Sequence, residues 1–278
     1  MLTFVNYMTM QKILVPTDFN PLSDNALTFA CELAGSVSCE IFLVNVQSLP
    51  ANDDASMAVE LIKTIQTANE ERLQQTVKSV NEKYPGLKIS AHFSFGIPSS
   101  TIKDYLDTNE FDFVVMGSRG ATGADRFFMG SVAESVSKHA PCPVFIIHSE
   151  NQYKPLKNFV VPIDINYKFS ALYKAVNKIV DLAAVFNGTV NWCYVETSKA
   201  PIDGNSLNFQ LDDGNSIQID VVNNPTVEDG IIGYCNEKSP DLLVIIKRDY
   251  SFVEKIFHHN VFADLLNNQD LPIMVIHF

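Results

Sequence analysis

Short apolar runs alternate along the chain with longer stretches whose apolar positions recur at helical spacing. Lys12 to Pro16 is a short strand ending in Pro16-Thr17-Asp18, and Pro21 to Ala34 carries a helical apolar stripe. A strand follows at Ile41 to Val46, then a long helix from about Ala55 to Lys83 that stops before Pro85-Gly86. Leu87 to Phe95 is a strand, Gly96-Ile97-Pro98 opens a helix near Ser99 to Thr108, and Phe111 to Met116 is a buried strand. A helix at Ser131 to His139 and a strand at Val144 to His148 close the series. Strands alternating with helices predict a parallel sheet with right-handed crossovers.

The pattern then starts again. Phe159-Val-Val-Pro-Ile-Asp164 repeats Ile13-Leu-Val-Pro-Thr-Asp18, and Phe169 to Phe186 repeats the first helix before Asn187-Gly188. Asp241-Leu-Leu-Val repeats Asp112-Phe-Val-Val, and Leu271 to His277 repeats Cys142 to His148. The second half is shorter, and most of the loss falls where the first half has its long helix. In that place Lys199 to Asn215, rich in Gly, Asn and Asp, predicts a loop or a short hairpin. Asn151 to Pro155 is the expected linker. The expected domains are residues 10–150 and 151–278, each an open-sheet α/β unit with a five-stranded, mainly parallel sheet.

Charge narrows the partners. A net charge of -12 with no basic run argues against a nucleic-acid backbone or an anionic membrane surface. Apolar stretches are too short to span a bilayer, and the first residues lack the basic and apolar regions of a secretory signal, with Met10 an alternative start. A soluble, cytoplasmic protein is expected. Five cysteines, Cys31, Cys39, Cys142, Cys193 and Cys235, show neither paired nor metal-ligand spacing and are expected as buried apolar side chains in a reducing compartment. The histidines, His258-His259 included, lack neighbours spaced as a metal site needs, so no metal ligand is expected.

The sharpest chemical signal is Gly117-Ser-Arg119-Gly120 followed by Gly130-Ser131, a glycine-rich segment leaving a buried strand and entering a helix. Glycines let backbone N–H groups approach an anion closely, and the helix start at Ser131 adds its dipole and a hydroxyl. Glycine at strand-to-helix turns also serves sterics. The segment is not a P-loop, since no Gly-Lys-Ser/Thr follows, and a dinucleotide fingerprint would belong after the first strand.

The whole arrangement resembles the universal stress protein (UspA-like) family in its tandem form, whose nucleotide-binding members share Gly-x2-Gly-x9-Gly-Ser/Thr; Gly117, Gly120, Gly130 and Ser131 satisfy that spacing. Supporting matches are Ile13 to Asp18, Leu43 to Val46, Gly96 to Pro98 and Pro141 to Val144. The resemblance implies an adenine nucleotide alpha hydrolase-like, Rossmann-like fold. It also implies an adenine nucleotide, ATP foremost with AMP or ADP as alternatives, and Mg2+ as an optional companion of the phosphates. By the same resemblance Pro16, Thr17 and Asp18 lie beside the adenosine, and Val46 meets the adenine edge through its backbone. Met116 and Gly117 lie against ribose and first phosphate, and Gly120, Gly130, Ser131 and Val132 hold the phosphate chain. Arg119 and Arg126 are candidates for the outer phosphates. Asp18 has a plainer role open to it as a carboxylate at a helix start, with Asn20 able to cap that helix, and Val46 is core in any parallel sheet.

At the matching positions the second half has Ile246, Asp249, His259 and Asn260, with Arg248 opposite Arg119, so ATP is expected in the first half alone. A half that manages without the glycines also argues against a steric need for them. Asp18 and Asp125 are the carboxylates available to a hydrolase, and neither belongs to a catalytic constellation. Three readings stay open: an ATP-binding regulatory or stress-response module, a slow ATPase, and a nucleotide-independent scaffold. In the last, the halves pair through Val144 to His148 and Ile273 to His277 as an internal pseudo-dimer, with a homodimer as a further option.

Overall fold

The computed structural model describes residues 12–50, 55–118, 129–165, 169–198, 206–210, 216–247 and 271–277. Of these, the residues up to Tyr153 form one compact unit and those from Lys154 onward a second.

The first unit runs β1 (Lys12–Pro16), α1 (Pro21–Val37), β2 (Glu40–Gln47), α2 (Ala55–Lys83), β3 (Ile89–Phe95), α3 (Pro98–Thr108), β4 (Phe113–Gly117), α4 (Ser131–His139) and β5 (Val144–Ile147). Its strands lie in the order β3-β2-β1-β4-β5 and all pair in parallel. Every residue of β4 and β5 is buried, which explains their unbroken apolar runs. Helix α1 turns Ala26, Leu27, Phe29, Ala30, Leu33 and Ala34 to the sheet, and Phe29 sits 6.0 Å from Phe145, which is 5.4 Å from Phe113. Each such ring contributes about 1.5–3 kcal/mol by leaving water. Leu73 and Val80, two turns apart on α2, are its buried anchors.

The second unit runs β6 (Asn158–Pro162), α5 (Phe169–Val185), β7 (Thr189–Glu196), β8 (Ser206–Gln210), β9 (Ser216–Asn223), α6 (Val227–Lys238), β10 (Leu242–Lys247) and β11 (Ile273–His277). Its strand order is β11-β10-β6-β7-β9-β8, the first five parallel and β8 antiparallel to β9. The repeat holds to the level of register. Ile13 faces Phe113 and Leu14 faces Val114; in the second unit Phe159 faces Leu242 and Val160 faces Leu243. The shared aspartates have a structural reason. Asp112 accepts the Lys12 N–H at 2.9 Å, and Asp241 accepts the Lys157 and Asn158 N–H groups at 3.0 Å, so each anchors the start of the neighbouring strand.

The shortening is local. Leu43 and Trp192 are matched 149 residues apart, but their partners Ala91 and Ile219 only 128, so the missing residues lie between the second and third parallel strands. The second unit has no counterpart of α2 among its described residues. Of the loop or short hairpin expected at Lys199 to Asn215, residues 206–210 form β8, which pairs with β9 beyond that segment and covers what would otherwise be an unpaired edge. Asn187, rather than Gly188, takes the left-handed conformation after α5, at φ 49°.

In each unit the chain reverses its direction of winding between the first and fourth parallel strands, β1 and β4 in the first and β6 and β10 in the second. In an open α/β sheet that reversal leaves a crevice beyond the carboxyl ends of those two strands. In the first unit the crevice is flanked by Thr17 after β1 and Ser118 after β4.

Candidate functional site

The turn after β1 is held by its own side chains. Thr17 is buried, and its Oγ1 accepts the Phe19 N–H at 3.0 Å and lies 3.1 Å from Ser23 Oγ. This fixes Phe19 in a left-handed conformation, φ 61°. Asn20 is the N-cap of α1, its Oδ1 accepting from Leu22 and Ser23 at 2.8 Å, with Pro21 preset at the first helical position. Asp18, half-buried, accepts the Asn20 N–H at 3.3 Å and Asn20 Nδ2 at 3.1 Å. Its carboxylate therefore braces the turn while standing at the mouth of the crevice.

The end of β2 contributes a backbone edge. Thr17 N–H donates to the Val44 carbonyl at 2.8 Å, and the β1–β2 ladder ends at the Pro16–Val44 pair. Backbone groups alternate sides along a strand. Val46, two residues further, therefore points its N–H and carbonyl to the β1 side, beyond the end of that ladder. Its side chain is half-buried, so the plainer reading of Val46 as a core residue does not hold in full. Between them, Asn45 is fully buried and donates from Nδ2 to the Thr17 carbonyl at 2.8 Å, leaving its Oδ1 buried without a partner.

Beyond β4 the backbone turns toward α4. Met116 and Gly117 are buried, and Ser118 N–H donates to the Ile147 carbonyl at 2.9 Å. Gly130 N–H returns to the Ser118 carbonyl at 2.8 Å, bringing the start of α4 back beside the end of β4. Gly130 is the N-cap of α4 with φ −63° and ψ 147°, a conformation open to any residue, and it provides no side-chain cap. The first helical bond is Glu134 N–H to Gly130 carbonyl at 2.9 Å, so the amides of Ser131, Val132 and Ala133 have no acceptor within the helix. Ser131 is exposed and Val132 half-buried. The Ser118 hydroxyl is buried with no partner.

A side chain at Gly117 would be tight against α1. A Cβ there would lie 3.1 Å from Leu22 Cγ and 3.3 Å from the Leu22 carbonyl oxygen, so the end of β4 abuts the first turn of α1. The expectation that steric need for these glycines is weak is therefore qualified at Gly117, where α1 packs closely. Gly130 carries the opposite lesson, since its backbone does not require glycine and its effect is to leave the helix start uncapped.

Of the residues expected at a site, Pro16, Thr17, Asp18, Val46, Met116 and Gly117 meet at the carboxyl ends of neighbouring strands β1, β2 and β4, with Gly130, Ser131 and Val132 returned to β4 through Ser118. Arg119, Gly120, Asp125 and Arg126 lie outside the described residues, as do Arg248, Asp249, His258, His259 and Asn260. Asn45 and Ser118 were not singled out from the sequence. A lone asparagine within the apolar strand Ile41 to Val46 was the available signal for the first, and Ser118 stood inside the glycine segment. Among the described residues no three His, Cys, Asp or Glu side chains converge as a metal site would require. All five cysteines are buried, and that burial pushes the thiols of Cys31, Cys39 and Cys235 up to about 12, leaving them as packing groups.

A family model for the universal stress protein family matches residues 9–148, half of the chain, across this site. The chain belongs to the universal stress protein family. A universal stress protein of Methanocaldococcus jannaschii is 33% identical over 143 residues, spanning 49% of this chain and 81% of that protein. A putative universal stress protein of Staphylococcus haemolyticus is 22% identical over 144 residues, 51% of this chain and 87% of the relative. Among solved structures, a universal stress protein from Archaeoglobus fulgidus aligns over 97% of both chains with a TM-score of 0.69 at 17% identity, which extends the fold likeness through the second unit. A functionally unknown protein from Pseudomonas aeruginosa aligns over 98% of this chain and 94% of its own with a TM-score of 0.57 at 14% identity.

Within this member of the universal stress protein family, the second crevice is differently furnished. Ile163 stands where Thr17 does, making the same backbone bond (to the Cys193 carbonyl, 2.8 Å) but offering an apolar side chain. Tyr194 replaces Asn45, Ile246 replaces Gly117 and Lys247 replaces Ser118. Among the described residues, the buried threonine, serine and asparagine side chains, Thr17, Ser23, Asn45, Ser118, Ser137 and Asn151, all belong to the first unit. No described helix is long and apolar enough to cross a membrane.

Proposed function

We propose that the first unit binds an adenine nucleotide, ATP foremost, and that the protein works as a nucleotide-responsive regulatory module. The observation that carries this reading is the start of α4. Three amides without helical acceptors, uncapped because residue 130 is glycine, stand beside a buried and unpartnered Ser118 hydroxyl. Uncapped helix starts cost stability unless something accepts from them, and a phosphate is the acceptor that helix dipole and N–H groups favour together. Gly130, Ser131 and Val132 would hold phosphate oxygens through backbone amides, Ser118 through its hydroxyl. Val46 would offer its free backbone edge to the base, and Pro16, Thr17 and Asp18 would flank the sugar. The ligand would supply negative charge and a rigid link between the β1 turn and α4, which biases whatever partner reads that surface.

At the positions of Thr17, Asn45, Gly117 and Ser118 the second unit has Ile163, Tyr194, Ile246 and Lys247, so among the described residues it lacks the threonine, asparagine and serine groups of the first, and one nucleotide per chain is the reading this favours. Binding is favoured over turnover because the Asp18 carboxylate is engaged by the Asn20 N–H and side-chain amide in shaping the turn. The test is mass spectrometry of small molecules released from the purified protein, with the Gly130→Asp, Ser131→Glu double variant alongside. Adenine nucleotide present in the wild type and missing from the variant supports the reading. An empty wild type that also fails to saturate with added ATP refutes it.

A further inference from the structure

Across the first unit, one side chain from a distant helix grips the turn that would face the adenosine. Arg72, an exposed residue of α2, donates from Nη2 to the Phe19 carbonyl at 3.1 Å, and its guanidinium carbon lies 4.4 Å from the centroid of the Phe19 ring. Phe19 is the non-glycine residue that sits at φ 61° between Asp18 and Asn20. A bulky aromatic residue in that conformation persists only where its surroundings over-determine it. Here Thr17 Oγ1 holds its N–H and Arg72 holds both its carbonyl and its ring. We infer that Arg72 is a positioning residue for the nucleotide site, setting the β1–α1 turn so that Thr17 and Asp18 face the adenosine end of the ligand. This rests on the nucleotide reading above.

Three features support it. The planar guanidinium can stack and donate at once, which a lysine ammonium cannot do equally well. Arg72 also opposes the crowding of carboxylates at this turn: burial raises Asp24 above the usual carboxylate range, the Arg72 charge pulls it back, and Asp18 pushes it further up. Finally, the second unit keeps Asp164 and Asn166 at the positions of Asp18 and Asn20 but has Ile165 in place of Phe19, and its described residues include no counterpart of α2. The arginine–aromatic pair occurs in the unit that has the polar crevice.

The test titrates AMP and ATP into the full chain carrying Arg72→Met, Arg72→Lys or Gly130→Asp. Hydrogen exchange of the nucleotide-free proteins runs in parallel. Arg72→Met should weaken AMP and ATP by the same factor, about fivefold, as expected for one exposed cation–π contact. Arg72→Lys should recover part of that loss. Gly130→Asp should weaken ATP far more than AMP. The Phe19 and Asn20 amides should exchange faster in Arg72→Met, while those of β4 keep their wild-type rates. Should Arg72→Met fail to fold, Phe19→Leu removes the ring contact and should show the same equal loss on both nucleotides. Wild-type affinities and exchange in Arg72→Met, or a loss confined to ATP, would overturn the inference while leaving the nucleotide reading intact. A wild type that binds neither nucleotide overturns that reading and the adenosine role of Arg72 together.

Discussion

The carboxyl ends of the strands in the two units present the same backbone with different interiors. Thr17 and Ile163 make equivalent bonds to the next strand, and the pairing of β1 with β4 has the same register as that of β6 with β10. Yet the first unit buries Thr17, Asn45 and Ser118 at this end, with Asn45 Oδ1 and Ser118 Oγ unpartnered, where the second has Ile163, Tyr194 and Lys247. A buried polar atom without a partner costs about 1–3 kcal/mol. The second unit demonstrates that the sheet can be built without meeting that cost. The polar groups of the first are therefore a property of this unit rather than of the fold, and Asn45 Oδ1 and Ser118 Oγ are the ones the proposed nucleotide would be placed to satisfy.

The comparison can be attacked at several residues. The Gly130→Asp, Ser131→Glu double variant places carboxylates where the phosphates are expected, and ATP affinity should fall at least about a hundredfold, read by calorimetric titration. Importing the second unit's residue through Gly117→Ile drives a branched side chain against Leu22, and urea unfolding should show a loss of about 2 kcal/mol, with Gly117→Ala milder. Thr17→Val makes that position resemble Ile163 but strands the Phe19 N–H, and should cost about 1 kcal/mol in the same assay. The smallest effect belongs to Gly130→Asn, which supplies the missing cap of α4. It should stabilise the nucleotide-free protein by about 0.3 kcal/mol in thermal unfolding while weakening ATP. Opposite movement of those two readouts separates a helix start kept open for a ligand from one that is merely imperfect.

The architecture was legible because it is written in local periodicity and in a repeat. Strand and helix order in the first half, and the shared aspartates, follow from patterns a few residues long; Lys199 to Asn215 was readable only as a loop or a short hairpin, and the pairing of β8 with β9 outside that segment was not. The site was legible in part, through the spacing of Gly117, Gly130 and Ser131. What sequence could not separate was the reason for each glycine. Gly117 answers to Leu22, a contact made only when α1 docks on β4, whereas Gly130 answers to the absence of a cap. Arg72 was invisible for a related reason: its partner Phe19 is 53 positions away, and nothing in a helix surface arginine announces the ring beneath it. Asn45 could have been suspected as a polar residue in an apolar strand, but its bond to the Thr17 carbonyl depends on how β1 and β2 meet.

The central claim is one nucleotide site per chain, located in the first unit. Isothermal titration of nucleotide-free protein with ATP tests it directly, run on the wild type and on the Gly130→Asp, Ser131→Glu variant. The account predicts a stoichiometry of one per chain in the wild type and no saturable binding in the variant. Two sites per chain, or a single site that survives the substitutions, would contradict it.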